Sequence, residues 1–308
     1  MSEPLLPPVD EARRYAVTRD SVTWRYMSDV RGFAAAGSAL LLQVAHPTIA
    51  GGVREHSNFK EEPWDRLLRT VDYVNLMVYG GPETAARTGR ALREGHKRIK
   101  GIDPQGRRYH ALEPEAFAWV HATLAYAVVA AHRRFGRPMS DGEIEQYWRE
   151  WRRLGRLLGI RDGELPADWA GFRAYVDWMI AERLEDNDVV RDVLASVTRP
   201  TESPLRRVPD RVWATATLPM HQIISVATVG LLPPALRAKL DLELSSSQQA
   251  RLRALGLLSR ASTPVLPGTL KVSGPLYLQR RQRAIDRGQF AGPSTIGTSA
   301  RSANARAA

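Results

Sequence analysis

Cysteine is absent from the 308-residue chain. That removes disulfides, thiolate-ligated zinc, iron–sulfur clusters, covalently attached c-type haem and thiolate-ligated haem. Lysine is scarce, occurring only at Lys60, Lys97, Lys100, Lys239 and Lys271, so the net charge of +11 rests on arginine. Those arginines are scattered among acids and form no stripe with interleaved aromatics; they read as a solvated basic surface, and no nucleic-acid groove is expected. Long apolar runs are missing too. The two most apolar windows, 33–45 and 223–232, are too short to cross a bilayer and read as buried helices, so no transmembrane segment is expected. The start, Met1 to Asp10, is acidic and proline-rich without the basic and apolar regions of a secretory signal, so a soluble cytoplasmic protein is expected.

Several catalytic signatures are missing as well. No histidine follows a glutamate by three, and there is no His-Glu-x-x-His, no G-x-x-x-x-G-K, no G-x-G-x-x-G and no G-x-S-x-G. Carboxylate di-iron, metalloprotease, nucleotide-hydrolysing, nicotinamide-dependent and serine-hydrolase chemistries thereby lose their usual support. Strand-like alternation is almost absent, and the chain reads as all-α.

Among the helical stretches, Pro82 to Gly101 is the most sharply bounded. Pro82 suits a first turn, Lys97, Arg98 and Lys100 place cations in the last, and Gly101 is a stop signal. Ala85, Gly89, Leu92, His96 and Ile99 recur at steps of four and three and share one face, so His96 is expected to point inward. A lone histidine on an apolar face is more often a hydrogen-bonded core residue than a ligand. Upstream, the spacing predicts a helix over 64–78 with Arg66, Arg69, Thr70 and Tyr73 along one face. Such a row is usually solvated and gains meaning only opposite an anionic ligand. A helix over 114–136 is apolar nearly all round and holds His121 in line with Phe117, Leu124 and Val128; the core and ligand readings both apply to it.

Elsewhere, 31–45 reads as a helix rich in small residues that ends at His46-Pro47, and 51–59 as a polar loop at a pocket mouth. His46 and His56 read as loop-packing residues or pocket residues, with packing the favoured reading. The Asp103-Pro104 and Gly106 signals mark a tight turn, with a short hairpin around it. Ser140 and Glu143 form a capping-box pattern ahead of a further helix. Residues 1–24 read as a lead-in, 25–287 as one helical domain around a buried pocket, and 288–308, rich in Gly, Ser, Thr and Ala, as a disordered tail. Buried histidines with a cationic helix face suit an imidazole-ligated haem whose propionates need cations.

Taken in order, Leu42-Gln43-Val44-Ala45-His46-Pro47, Gly52-Val53-Arg54-Glu55-His56-Ser57, Arg66-x-x-Arg69-Thr70, His96-Lys97-Arg98-Ile99-Lys100-Gly101, Asp103 to Tyr109, Trp119-Val120-His121-Ala122-Thr123 and Leu231-Leu232-Pro233-Pro234 resemble the MpaB-type oxygenase family, itself distantly similar to the latex-clearing proteins. The resemblance spans roughly residues 25–285. It implies a globin-like helical fold around haem b, and O₂-dependent attack on an apolar isoprenoid or lipid-like substrate, such as oxidative C=C cleavage. Relatives carry a proximal histidine downstream of an Arg-x-x-(Lys or Arg)-Thr motif, and His96 occupies the matching place, with His121 its rival. Arg66, Arg69 and Thr70 would then lie beside the haem, and Arg69 and Thr70 would be its catalytic neighbours. Latex-clearing proteins place a lysine where this chain has Arg69, so no lysine-capped closed state is expected; Glu55 is the candidate for their catalytic glutamate. Two other readings compete: a haem protein with a peroxidase, dehydratase or gas-sensing role, and a cofactor-free helical binding module.

Overall fold

The computed structural model describes residues 5–60, 63–198, 203, 208–265, 267–268 and 273–286, with backbone alone for 63–68 and for parts of 273–286. Thirteen α-helices and one two-stranded antiparallel sheet lie among the described residues, so the fold is all-α as expected. The expected tail at 288–308 falls outside them.

The first half of the chain builds the side of the molecule that concerns function. Ser21 accepts a hydrogen bond from the Trp24 amide and starts α1 (Val22–Met27). The small-residue stretch divides into a 3₁₀ segment, Val30–Ala35, and α2 (Ala36–Val44), where a single helix over 31–45 was expected. Residues 51–59 were expected as a loop, yet Pro47–His56 is a helix, α3. Pro47 does end α2, but it also sits at the first position of the next helix, where its missing N–H costs nothing. Gly51 and Gly52 lower helix propensity but remain helical because the Tyr109 ring and Ile99 lie against them; a Cβ on Gly51 would approach Tyr109 to 2.7 Å.

Next come α4 (Pro63–Tyr79) and α5 (Gly81–His96), an antiparallel helical hairpin. Gly80 and Gly81 make the turn, Gly81 at φ 81°, in the left-handed region that side chains disfavour. Helix α5 ends at His96, five residues before the expected stop at Gly101, because Lys100–Ile102 leaves the helix to pair as strand β1 with β2 (Arg108–His110), Gly101 opposite Tyr109. The Asp103 carboxylate ties the tip by accepting from the Gln105 and Arg107 amides at 3.0 and 2.8 Å.

Helix α6 (Pro114–Phe135) is the central element. Glu113 caps it, and Ala118, Trp119, Ala122 and Ala125 along its length are almost fully enclosed. The Trp119 indole N–H donates to the Leu42 carbonyl at 2.8 Å, which fixes α2 across it and satisfies a polar atom that burial would otherwise penalise. Helix α7 (Asp141–Gly155) opens with the expected capping box and places Tyr147, Trp148 and Trp151 in the same core. Trp148 stacks on Phe172 of α8 (Trp169–Glu182) at 4.2 Å between ring centres. After α8 the chain turns at residues 183–187 and continues as α9 (Asp188–Thr198).

Helix α10 (Asp210–Gly230), a proline break and α11 (Pro234–Lys239) follow, then α12 (Ser246–Ala261) and α13 (Ser273–Asp286). Helix α10 buries its last turns against α2, while Val212, Leu218 and Met220 in its first half remain exposed. The outer ends of the two apolar windows, Phe33 and Ile223, are exposed as well. Among the described residues no single helix is long and apolar enough to cross a membrane.

Candidate functional site

The α4–α5 hairpin gathers the residues that the sequence pattern singled out. Counted from the Gly80–Gly81 turn at about 1.5 Å per residue, Arg66 and His96 lie at the same height, with Arg69 and Thr70 about one turn nearer the hairpin. The Arg66 side chain lies outside the described residues. Arg69 is partly buried and donates from Nη2 to the Asn58 side-chain oxygen at 3.2 Å, which connects α4 to the segment after α3. Thr70, also partly buried, is next to it in sequence.

His96 is partly buried rather than enclosed. Its Nδ1 lies 2.7 Å from the Leu92 carbonyl, one turn back in α5. A carbonyl can only accept, so Nδ1 carries a proton and donates. The ring meets Phe117 of α6 edge to face at 6.0 Å. An imidazole oriented by a backbone carbonyl through one nitrogen presents the other as a donor to a metal, a standard arrangement around ligating histidines.

His121 is placed differently. It is enclosed in the core, stacked on Trp151 at 4.7 Å and 10°. Its Nε2 donates to the Trp151 carbonyl at 2.8 Å, while the Trp151 indole returns a bond to the His121 carbonyl at 2.9 Å. Burial lowers its pKa to about 4, so the ring is neutral at physiological pH. The reciprocal pair is what a structural histidine makes. His46 is buried too, its Nε2 3.5 Å from Glu115; burial lowers its pKa and the Glu115 charge opposes that. His56 is exposed, its ring edge to face with Tyr109.

A second cluster adjoins the first at the end of α3. The Tyr109 hydroxyl donates to Glu55 Oε2 and lies 3.2 Å from His56 Nε2. One phenolic proton cannot serve both, so His56 donates from Nε2 to the Tyr109 oxygen. Burial, followed by the Glu55 carboxylate, pushes the phenol pKa up. Gly51 and Gly101 clear room for this ring: a Cβ on Gly101 would stand 2.5 Å from the Tyr109 oxygen. Sequence reasoning named these residues one by one but did not pair them, nor Asn58 with Arg69; Glu55 and Tyr109 are 54 residues apart, and only the facing glycines hinted at a large ring between them.

Two hollows flank the region. One, of about 380 Å³, lies among Arg54, Arg107, Glu185 and Asp188, cations already committed to acids: Arg54 Nε bonds Asp188 at 3.1 Å and Arg107 bonds Asp103 and Glu185 at 2.7 and 2.8 Å. The other, of about 180 Å³, lies under Arg93 beside Phe117. Among the described residues no three His, Asp or Glu side chains converge as a bare-ion site.

A helical protein with an oriented imidazole at the mouth of a helical hairpin is the general class these features define. The chain belongs to the family of ER-bound oxygenase mpaB/B'/rubber oxygenase catalytic domains, whose pattern it matches over residues 24–261. The family is one of oxygenases, and the resemblance read from the motifs is thereby shown. The chain is similar to the uncharacterized protein Rv2237 of Mycobacterium tuberculosis and to the uncharacterized protein Mb2261 of Mycobacterium bovis. Each is 26% identical over 237 residues, which cover 74% of this chain and 87% of the relative. No solved structure matches it.

Proposed function

We propose that this chain is a haem b-dependent oxygenase that acts on an apolar, isoprenoid or lipid-like substrate. The observation that carries the reading is the partly buried His96 imidazole, oriented by its Nδ1 bond to the Leu92 carbonyl at the end of the hairpin where Arg69 and Thr70 also lie. The donor set suits the group: one imidazole for the iron, the Arg69 guanidinium for a propionate, and no thiolate to compete. When bound, such a haem supplies the redox centre at which O₂ is activated. Arg69 would hold charge at the haem edge, with its own position set by Asn58. Thr70 would offer a hydroxyl that can donate or accept within the site.

Leu92, Ile99 and Phe117, all partly buried around His96, would give the substrate an apolar wall that excludes water. Rubber, named in the family description, is a polyisoprenoid, and scission of a C=C bond by O₂ into two carbonyls balances without an external electron donor. The first measurement is a visible absorption spectrum of the purified protein, where a Soret band that collapses in His96→Ala is expected. Colourless protein that takes up no added haemin, or a variant with unchanged haem content, sinks the reading.

A further inference from the structure

Arg93, one turn before His96 on α5, occupies an unusual position. Its guanidinium lies 5.2 Å from the centre of the Phe117 ring and donates from Nη1 to the Leu158 carbonyl at 3.1 Å. It packs on Gly159, whose φ of 77° only glycine adopts without strain and where a Cβ would stand 3.1 Å from Nη1. Among the described residues no carboxylate comes within 4.0 Å of it, although its surroundings desolvate it. The Nε–Nη2 edge carries no hydrogen bond among those residues, and that edge is the fork that grips a carboxylate with two parallel bonds.

This guanidinium rims the hollow of about 180 Å³. Leu112, Pro114 and Phe117 supply an apolar floor, and Arg161 and Glu164 complete the rim. Glu164 is engaged, its Oε2 accepting from the Arg161 amide at 3.0 Å. Two cations against one acid leave the rim one positive charge in excess. The volume equals about six waters' share of the liquid, well below the space a drug-sized ligand needs. An inorganic anion would leave the floor uncovered, and an alcohol would leave the charge unmatched. We propose that this crevice binds a short aliphatic carboxylate, the acid on Arg93 and the hydrocarbon on Phe117 and Leu112. The crevice shares Phe117 with the wall proposed beside His96, but its binding test does not depend on the haem reading.

Titration calorimetry of the full-length protein as purified, with hexanoate, 1-hexanol and inorganic phosphate as probes, tests the idea. Saturable hexanoate binding is expected, about tenfold or more tighter than either comparator, as one charge-assisted bidentate contact implies. Arg93→Gln is expected to weaken hexanoate by about tenfold or more while hexanol is unaffected. Because Arg93 also serves the Leu158 carbonyl, two variants that leave it in place guard against misfolding. Leu112→Trp fills the floor and is expected to abolish hexanoate binding, and Arg161→Gln, on the exposed rim, to weaken it several-fold, both with unchanged visible absorbance and circular dichroism. Equal binding of hexanoate and hexanol, preference for phosphate, or undiminished hexanoate affinity in Leu112→Trp overturns the proposal. So does an Arg93→Gln protein that loses haem while hexanoate binding was never measurable, since the cation would then serve a propionate.

Discussion

A histidine nitrogen that donates to a carbonyl holds no lone pair for a metal, so the two candidate ligands differ in which nitrogen is committed. At His96 it is Nδ1, bonded within its own helix, while at His121 it is Nε2, bonded across to α7 inside a stack with Trp151. Ligation through His121 Nε2 would break a buried hydrogen bond between α6 and α7. His121→Ala should therefore destabilise the protein by about 2–4 kcal/mol, from the cavity and the lost inter-helix hydrogen bond together, while on the haem proposal a wild-type Soret band survives in the folded variant. Urea unfolding followed by circular dichroism gives the first quantity and absorbance the second; a variant as stable as wild type, or one that folds and loses the band, would reverse the assignment. The sequence placed both histidines on inward helix faces but could not tell them apart. The difference lies in partners, Leu92 one turn away and Trp151 30 residues away, and only the nearer one is implied by helical spacing.

At the scale of elements, the close approach of α5 to the 3₁₀ turn Arg156–Leu158 holds the end of α5 against the core. Gly89 allows it: a Cβ there would stand 2.0 Å from the Leu157 carbonyl oxygen, a backbone atom that cannot swing aside. Gly89→Ala is favoured by helix propensity but must push α5 outward, and overpacking outweighs the gain. We expect a net loss of about 1–3 kcal/mol in urea unfolding and, on the haem proposal, weaker haem retention, because His96 rides on the same helix. A more stable Gly89→Ala protein would show that α5 can shift at no cost. Most helices were legible because their signals are local: Pro82, Pro114, the Ser140–Glu143 box and the proline break after Leu232 each mark an end correctly. The errors arose where a distant partner decided. Residues 51–56 remain helical through contact with Tyr109 and Ile99, and α5 stops at His96 because Lys100 pairs with His110, neither of which can be read from a window of the chain.

Across the whole molecule, buried imidazoles govern how stability responds to acid. His121, His46, His132 and His221 all have lowered pKa values, in each case chiefly through burial. A histidine near 4 when folded and near 6.5 when unfolded binds fewer protons in the native state between those values, so stability rises with pH across that window. The contribution is complete above about pH 6.5 and is lost as pH falls toward 4. For His121 alone it amounts to about 3 kcal/mol. Carboxylates extend the loss to lower pH. Burial opposes ionisation of Asp29, but the hydrogen bonds and charge of Arg31 prevail and hold its pKa down, and the Ser140 amide does the same for Glu143. Calorimetric melting between pH 4.5 and 8 should therefore give a plateau above about pH 7 and a steady fall below 6.5. His121→Gln should be less stable at neutral pH yet show a shallower fall, because the residue that must be kept neutral is gone. Melting temperatures that stay level from pH 7 to pH 5, or an unaltered slope in His121→Gln, would mean that water reaches these rings and that the core around Trp151 is more open than its packing indicates.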